Sequence, residues 1–221
     1  MTRTPLSPTP RSTIKRGKNR AVTDRAALDA VLDAGLICHL SVVIDGAPVV
    51  LPTGYGRDGN TLYLHGSTGA LSLRSALETD ICVAVTLLDG IVYSRAVFHF
   101  SANYRSAVVH GRARVVESDE ERLHGLKVLT EHLAPGSWDY SRPPNAKELA
   151  ATLVLALPLD EAAVKIRSGS PGDEPEDIEK DATWAGVLPV RQSWGAPEPS
   201  DDLPADWAIP QHVKDRYASP A

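Results

Sequence analysis

The chain has 221 residues, with 23 Lys and Arg against 28 Asp and Glu, for a net charge of −5. A mildly acidic chain lacks the coherent basic surface that a phosphate backbone needs, which argues against a nucleic-acid partner. No run approaches the roughly 18 to 20 apolar residues that span a bilayer, so no membrane partner is expected.

In chain order, residues 1–20 read as a flexible basic leader. The first 25 residues hold seven Lys or Arg against one acid, either a solvated arm or a weak anion contact by Lys15 to Arg20. The leader lacks the apolar stretch of a signal peptide. Cys38 and Cys82 sit in apolar runs without metal-spaced neighbours. Free buried thiols, no metal site and a cytoplasmic location are therefore expected.

Thr23 or Asp24 caps a helix carrying Leu28, Val31 and Leu32 at helical spacing, ended by Gly35. Leu36 to Ile44 and Ala47 to Tyr55 read as strands around Asp45-Gly46, the pair a primed hairpin turn prefers. Thr61 to His65 follows Arg57-Asp58-Gly59-Asn60, so three successive antiparallel strands, a meander, are predicted. A helix from about Ala70 to Glu78 and an apolar strand Ile81 to Leu88 come next. Asn103 to Val116 alternates, with Val109, Gly111, Ala113 and Val115 opposite His110, Arg112 and Arg114. Glu117 to Leu133 is an amphipathic helix with an acidic first turn, followed by a loop, a short helix near Asn145 to Ala150, and strands Thr152 to Leu157 and Ala163 to Ile166. Residues 168–190 hold a mobile linker and a returning Trp184-Ala185-Gly186-Val187-Leu188-Pro189 segment, and residues 191–221 an acidic tail. Six or seven hairpin strands with marginal helices make a mainly β, antiparallel barrel over residues 21–167.

Three features carry chemistry. The loop His65-Gly66-Ser67-Thr68-Gly69 leaves a strand and enters a helix, which aims backbone N–H groups and two hydroxyls at an anion; plain helix capping is the alternative. His65 suits hydrogen bonding, haem ligation, proton exchange or a purely structural role. Tyr104 and Ser106 point one way along their strand and Arg105 the other, a set able to hold a planar ring and a phosphate, or an ordinary strand edge. No nucleophile is paired with a base.

The run Thr61 to Gly69, then Asn103-Tyr104-Arg105-Ser106, Gly111-Arg112-Ala113 and Trp184 to Pro189, resembles the pyridoxamine 5′-phosphate oxidase-like flavin-nucleotide-binding proteins, in particular the branch with nitroimidazole-resistance reductases. The resemblance runs from about Arg20 to Pro189. It implies a six-stranded split barrel forming a homodimer, with FMN in clefts at the subunit interface. By position, Pro52, Thr53, Gly54 and Tyr55 would edge the isoalloxazine, and His65 and Gly66 would adjoin it. Ser67 and Thr68 would meet the phosphate, and Tyr104, Arg105 and Ser106 would line the opposite wall. Lys165 and Trp184 would belong to the partner's side of the cleft, and His65 aligns with a histidine implicated in reduction.

One departure stands out. Relatives place Lys or Arg in the first turn after the loop, where this chain has Ala70-Leu71. Losing that contact weakens phosphate binding by about 1.5 to 3 kcal/mol, unless Arg74, Lys15 or Arg16 substitutes. The expected function is an FMN-dependent oxidoreductase, with His65 catalytic, acting on a small nitroaromatic, quinone or similar molecule. The alternative is a non-enzymatic flavin or haem carrier or sensor, with His65 or His99 as axial ligand; a deazaflavin is the remaining cofactor expectation.

Overall fold

The computed structural model describes residues 5–180, 183–204 and 206–218. Residues 1–4 of the leader, 181 and 182 of the linker segment, and 205 and 219–221 of the tail lie outside the described residues. Strand β1 (Ala21–Val22) is followed by helix α1 (Arg25–Ala34), whose first turn is capped by Asp24 accepting from Ala26 N at 2.9 Å. Strands β2 (Ile37–Ile44) and β3 (Ala47–Gly54) pair in register through Asp45-Gly46, both at positive φ as a primed turn requires.

The predicted meander stops there. β4 (Gly56–Asp58) and β5 (Thr61–Ser67) form a hairpin in a second sheet. Tyr55, 1 % exposed, plugs the corner, and its hydroxyl donates toward Leu32 O (2.5 Å) and Gly35 O (2.9 Å). A buried aromatic between two glycines turns the chain from one sheet to the other, and strand alternation alone carries no sign of that.

Helix α2 (Leu71–Ser75) is shorter than predicted, because the following residues tighten into i→i+3 bonds at Leu77 and Glu78. Strand β6 (Ile81–Tyr93) continues through Asp89-Gly90 by a bulge rather than breaking. Strand β7 (Ser101–Gly111) ends earlier than predicted. The chain crosses at Arg112-Ala113, and β8 (Arg114–Val115) joins the second sheet.

Helix α3 (Asp119–Leu133) is capped by Ser118, and α4 (Ser137–Tyr140) lies within the predicted loop. Helix α5 (Ala146–Ala151) has a capping box between Asn145 and Glu148. Strands β9 (Thr152–Pro158) and β10 (Glu161–Arg167) complete the barrel. The expected linker carries α6 (Pro175–Lys180), tied down where Asp173 meets Arg95 at 2.8 Å. The returning segment is β11 (Gly186–Pro189), paired with β6. In the tail, α7 (Gln211–Ala218) stacks His212 on Tyr140, while Arg216 covers Trp194.

One sheet runs β1-β10-β7-β6-β2-β3, and the second runs β4-β5-β9-β8. Along one edge of β6, β2 pairs with residues 82–84 and β11 with residues 90–93, leaving a gap between them. The barrel is thus split rather than closed. Leu40, Val42, Val83, Val85, Val109 and Val164 of the first sheet face Leu62, Leu64, Leu155 and Leu157 of the second, with Leu28, Val31 and Leu32 of α1 in the same core.

The leader departs from a free arm because Leu6 is buried in that core and Ser7 N donates to Ala162 O at 2.6 Å. Arg11 clamps it, donating to both Glu161 oxygens (2.8 and 2.6 Å) and to Asp80 (2.7 Å). The Arg11 guanidinium, with Thr9, lowers the Glu161 pKa from 4.5 to about 2. His110 is the other titratable group facing Glu161. Since the folded value is depressed, this contribution is present above 4.5 and is lost as pH falls toward about 2. Protection of the backbone amides of residues 5–12, taken relative to the intrinsic exchange rate at each pH, is therefore expected to fall across that window; protection unchanged across it would refute the clamp.

Candidate functional site

In β5, Leu62 and Leu64 face the core, while Tyr63 and His65 face the opposite side, toward α3. A side chain at Gly66 would meet Leu73 Cδ1 at 2.7 Å, so that position belongs to the α2 side. His65 thereby lines a cleft of about 440 Å³ between β5–β9 and helices α3 to α5. Leu126, Trp138, Pro143 and Pro144 make its apolar walls. Thr130, Ser141, Thr152 and the ion-paired Arg142 and Glu148 (2.5 Å) supply polar groups.

The His65 ring is exposed into the cleft and has no hydrogen-bond or ion-pair partner among the described residues. The surrounding walls desolvate it and lower its pKa from 6.5, which leaves a neutral imidazole with a free lone pair at pH 7. His124 and His132 on α3 are engaged, with Asp58 at 2.9 Å and Gly35 O at 2.6 Å. His99 lies elsewhere, edge-on to Phe98 and 3.8 Å from Glu174.

The loop after His65 differs from the anion cradle its sequence suggests. Thr68 N donates to Ala151 O (3.0 Å), Gly69 N to Ser67 Oγ (3.2 Å) and Ala70 N to Ser67 O (2.9 Å). The N–H groups of Thr68, Gly69 and the following Ala70 are thus already taken by protein acceptors. The Thr68 side chain is exposed, and Arg74 is exposed on α2 without a partner among the described residues.

The other predicted residues lie mainly on the first sheet. Pairing places Ser106 beside Lys165 and Thr86, and Tyr104 beside Arg167 and Leu88, all on the outer face. Arg105 points the other way, as its alternation requires, and is neutralised by Asp89 at 2.7 Å. Pro52 and Gly54 share the outer face on β3, opposite His39 and Ile37. Thr53 pairs with buried Cys38 on the inner face. Tyr55 is a core residue whose side chain is closed to any cofactor. Trp184, 68 % exposed, stands against Tyr93 beyond the barrel.

The sites therefore gather into three places: the His65 cleft, the β3 edge, and the β7–β10 edge. From β3, β7 is three and β10 four strand spacings away, about 14 to 19 Å at about 4.8 Å each. Ser106 and Lys165 also line a cavity of about 180 Å³ closed over by leader residues Arg11 to Ile14. Neither the α3–α5 cleft walls nor the leader's place beside Ser106 was visible in local pattern. The sequence signals nearest to them are the Asn145/Glu148 capping box and the apolar Leu6.

Residues 24–166 match the family model described as pyridoxamine 5′-phosphate oxidase. No curated protein matches the sequence. Among solved structures, flavocytochrome Anf3 from Azotobacter vinelandii is similar at 35% identity and TM-score 0.90, covering 96% of this chain and 99% of its own. The FAD and haem binding protein from Mycobacterium smegmatis is similar at 39% identity and TM-score 0.85, covering 89% of this chain and 97% of its own. A 5-nitroimidazole antibiotic resistance protein from Bacteroides thetaiotaomicron shares the fold at 20% identity and TM-score 0.55, covering 66% of this chain and 86% of its own.

Proposed function

This chain belongs to the pyridoxamine 5′-phosphate oxidase family of flavin-binding split barrels, and from that premise we propose that it is an electron-transfer protein carrying a flavin and a haem. The observation that carries this reading is His65, a neutral, unpartnered imidazole in a cleft with an apolar wall of Leu126, Trp138, Pro143 and Pro144. The two relatives that cover nearly the whole chain are named for a flavocytochrome and for FAD with haem.

The residues fit such a group. His65 would ligate the iron, and Leu126, Trp138, Pro143 and Pro144 would pack on an apolar macrocycle. When bound, the flavin exchanges electron pairs and the haem single electrons. The protein's own part is to keep His65 unprotonated and to fix the ring through the β5–β9 ladder.

The flavin would lie on the outer face of the first sheet, between two copies. Ile37, Val43, Val50 and Leu88 make that face apolar and exposed. A two-fold pairing across it would bring the β3 edge of one copy to the β7–β10 edge of the other, completing two equal sites. The free thiols Cys38 and Cys82 suit a reducing, cytoplasmic compartment. No described helix is long and apolar enough to cross a membrane.

A second reading, flavin-dependent reduction of a small nitroaromatic, is favoured by the hydroxyls of Thr130, Ser137 and Ser141 around the same open cleft. One experiment separates the two. The absorption spectrum of the purified, haem-supplied protein is expected to show flavin bands together with a Soret band. Flavin bands alone, reoxidised by a nitroaromatic after reduction, would favour the second reading and overturn the first.

A further inference from the structure

Where the resemblance expects a cation for the flavin phosphate, Ala70 and Leu71 offer none, and the N–H groups of Thr68, Gly69 and Ala70 are already bonded to Ala151 O, Ser67 Oγ and Ser67 O. Unsatisfied cations collect elsewhere. Lys15, Arg16, Lys18 and Lys165 have no acidic partner among the described residues, nor does the side chain of Arg20.

The fold sets Arg20 and Lys165 at one turn, with Lys15, Arg16 and Lys18 along the same segment, by specific means. Arg11, neutralised by Glu161 and Asp80, anchors the leader on β10. Gly17, at φ +64, then turns the chain, and Arg20 N donates to Gly17 O at 2.9 Å. Ala21 follows, paired with Lys165, so the turn is stitched to the strand carrying the candidate cofactor residue. A side chain at position 17 would lie 4.0 Å from Lys165 Nζ and 3.6 Å from Arg20 Cδ. Beside this turn, the cavity under Ser12, Thr13 and Ile14 is floored by Ser106 and Lys165.

We infer that the leader segment Lys15 to Arg20, with Lys165 and the Ser106 hydroxyl, is the phosphate clamp of the flavin nucleotide, contributed by one copy of the chain to the flavin seated on β3 of the other. The inference rests on the flavin reading above. It accounts for the missing cation at positions 70–71 by supplying the charge from the opposite wall. Several cations along one turn suit two phosphates as well as one, because each phosphate oxygen takes charge-assisted hydrogen bonds.

The test is the full-length Lys15→Gln/Lys18→Gln/Arg20→Gln variant, titrated with FAD, FMN and riboflavin beside the unaltered protein. Riboflavin has the ring without phosphate. FAD and FMN are expected to bind about tenfold or more weakly to the variant, with a shallower salt dependence, while riboflavin affinity stays within about twofold. A larger loss for FAD than for FMN would assign the clamp to the diphosphate, and equal losses to the single phosphate. Unchanged FAD and FMN binding, or an equal loss of all three flavins, would overturn the clamp while leaving the flavin reading intact. An unaltered protein that binds none of the three would overturn the flavin reading, and the clamp with it.

Discussion

His65→Ala is expected to abolish the Soret band of the haem-supplied protein, lowering haem occupancy at least about tenfold, while the flavin bands persist. The size of the effect follows from how few ligands are available. His124 and His132 already hold Asp58 and the Gly35 carbonyl, and His99 sits at the far hairpin. Among the described residues, His65 is the one histidine that lines this cleft. Because His65 is exposed into the cleft and makes no hydrogen bond, its removal leaves no buried group unsatisfied. The melting temperature of the haem-free variant should therefore stay within about 2 to 4 °C of the parent. His124→Ala is the matched control and should keep the Soret band. A Soret band retained in His65→Ala would end the axial assignment. The pH response has a definite sign: His65 titrates below 6.5, so it competes with protons only in acid, and haem should be held at pH 7.

Local chemistry foretold the pieces better than their assembly. Asp24 capping α1, Asp45-Gly46 at positive φ and Ser118 at the start of α3 are all short-range devices, and each stands where its residue type demands. The opposed directions of Tyr104 and Arg105 likewise follow from strand alternation. What local pattern lacks is the choice of sheet. β3 and β5 alternate alike, yet one pairs with β2 and the other with β9, some ninety residues later. The cleft at His65 exists only because that distant pairing brings α5 beside β5 and lays α3 across it, so its walls are silent in the sequence around His65. The loop at Ser67 misleads for a similar reason, since Ala151 arrives from α5 to take the Thr68 N–H. The leader looks polar by composition, but the buried Leu6 and the bidentate Arg11 tie it to the barrel.

Gly56→Ala is expected to cost about 3 kcal/mol in stability, measured by urea unfolding, and to lower haem uptake with it. Position 56 opens β4 directly beneath α3. A methyl group there would lie 2.7 Å from Val128 O, 2.8 Å from Val128 C and 2.9 Å from Leu129 Cα. All three are backbone atoms of a helix, so no side chain can swing away, and α3 must lift from the second sheet. The lift propagates because α3 is seated closely elsewhere. A Cβ on Gly125 would already be 2.9 Å from Tyr63 Cδ1, and Leu129 is buried in the small core with Tyr63, Val116 and Val154. Leu126 and Thr130, on the same helix, line the His65 cleft, so displacement of α3 opens the site as well as weakening the fold. Gly54→Ala, two residues earlier, is the discriminating control. No atom lies within 4 Å of its added methyl group and its φ is not positive, so stability should change by no more than about 1 kcal/mol, in the stabilising direction. Equal unfolding midpoints for the two variants would show that α3 does not rest on Gly56, and the account of how the cleft is built would fall with it.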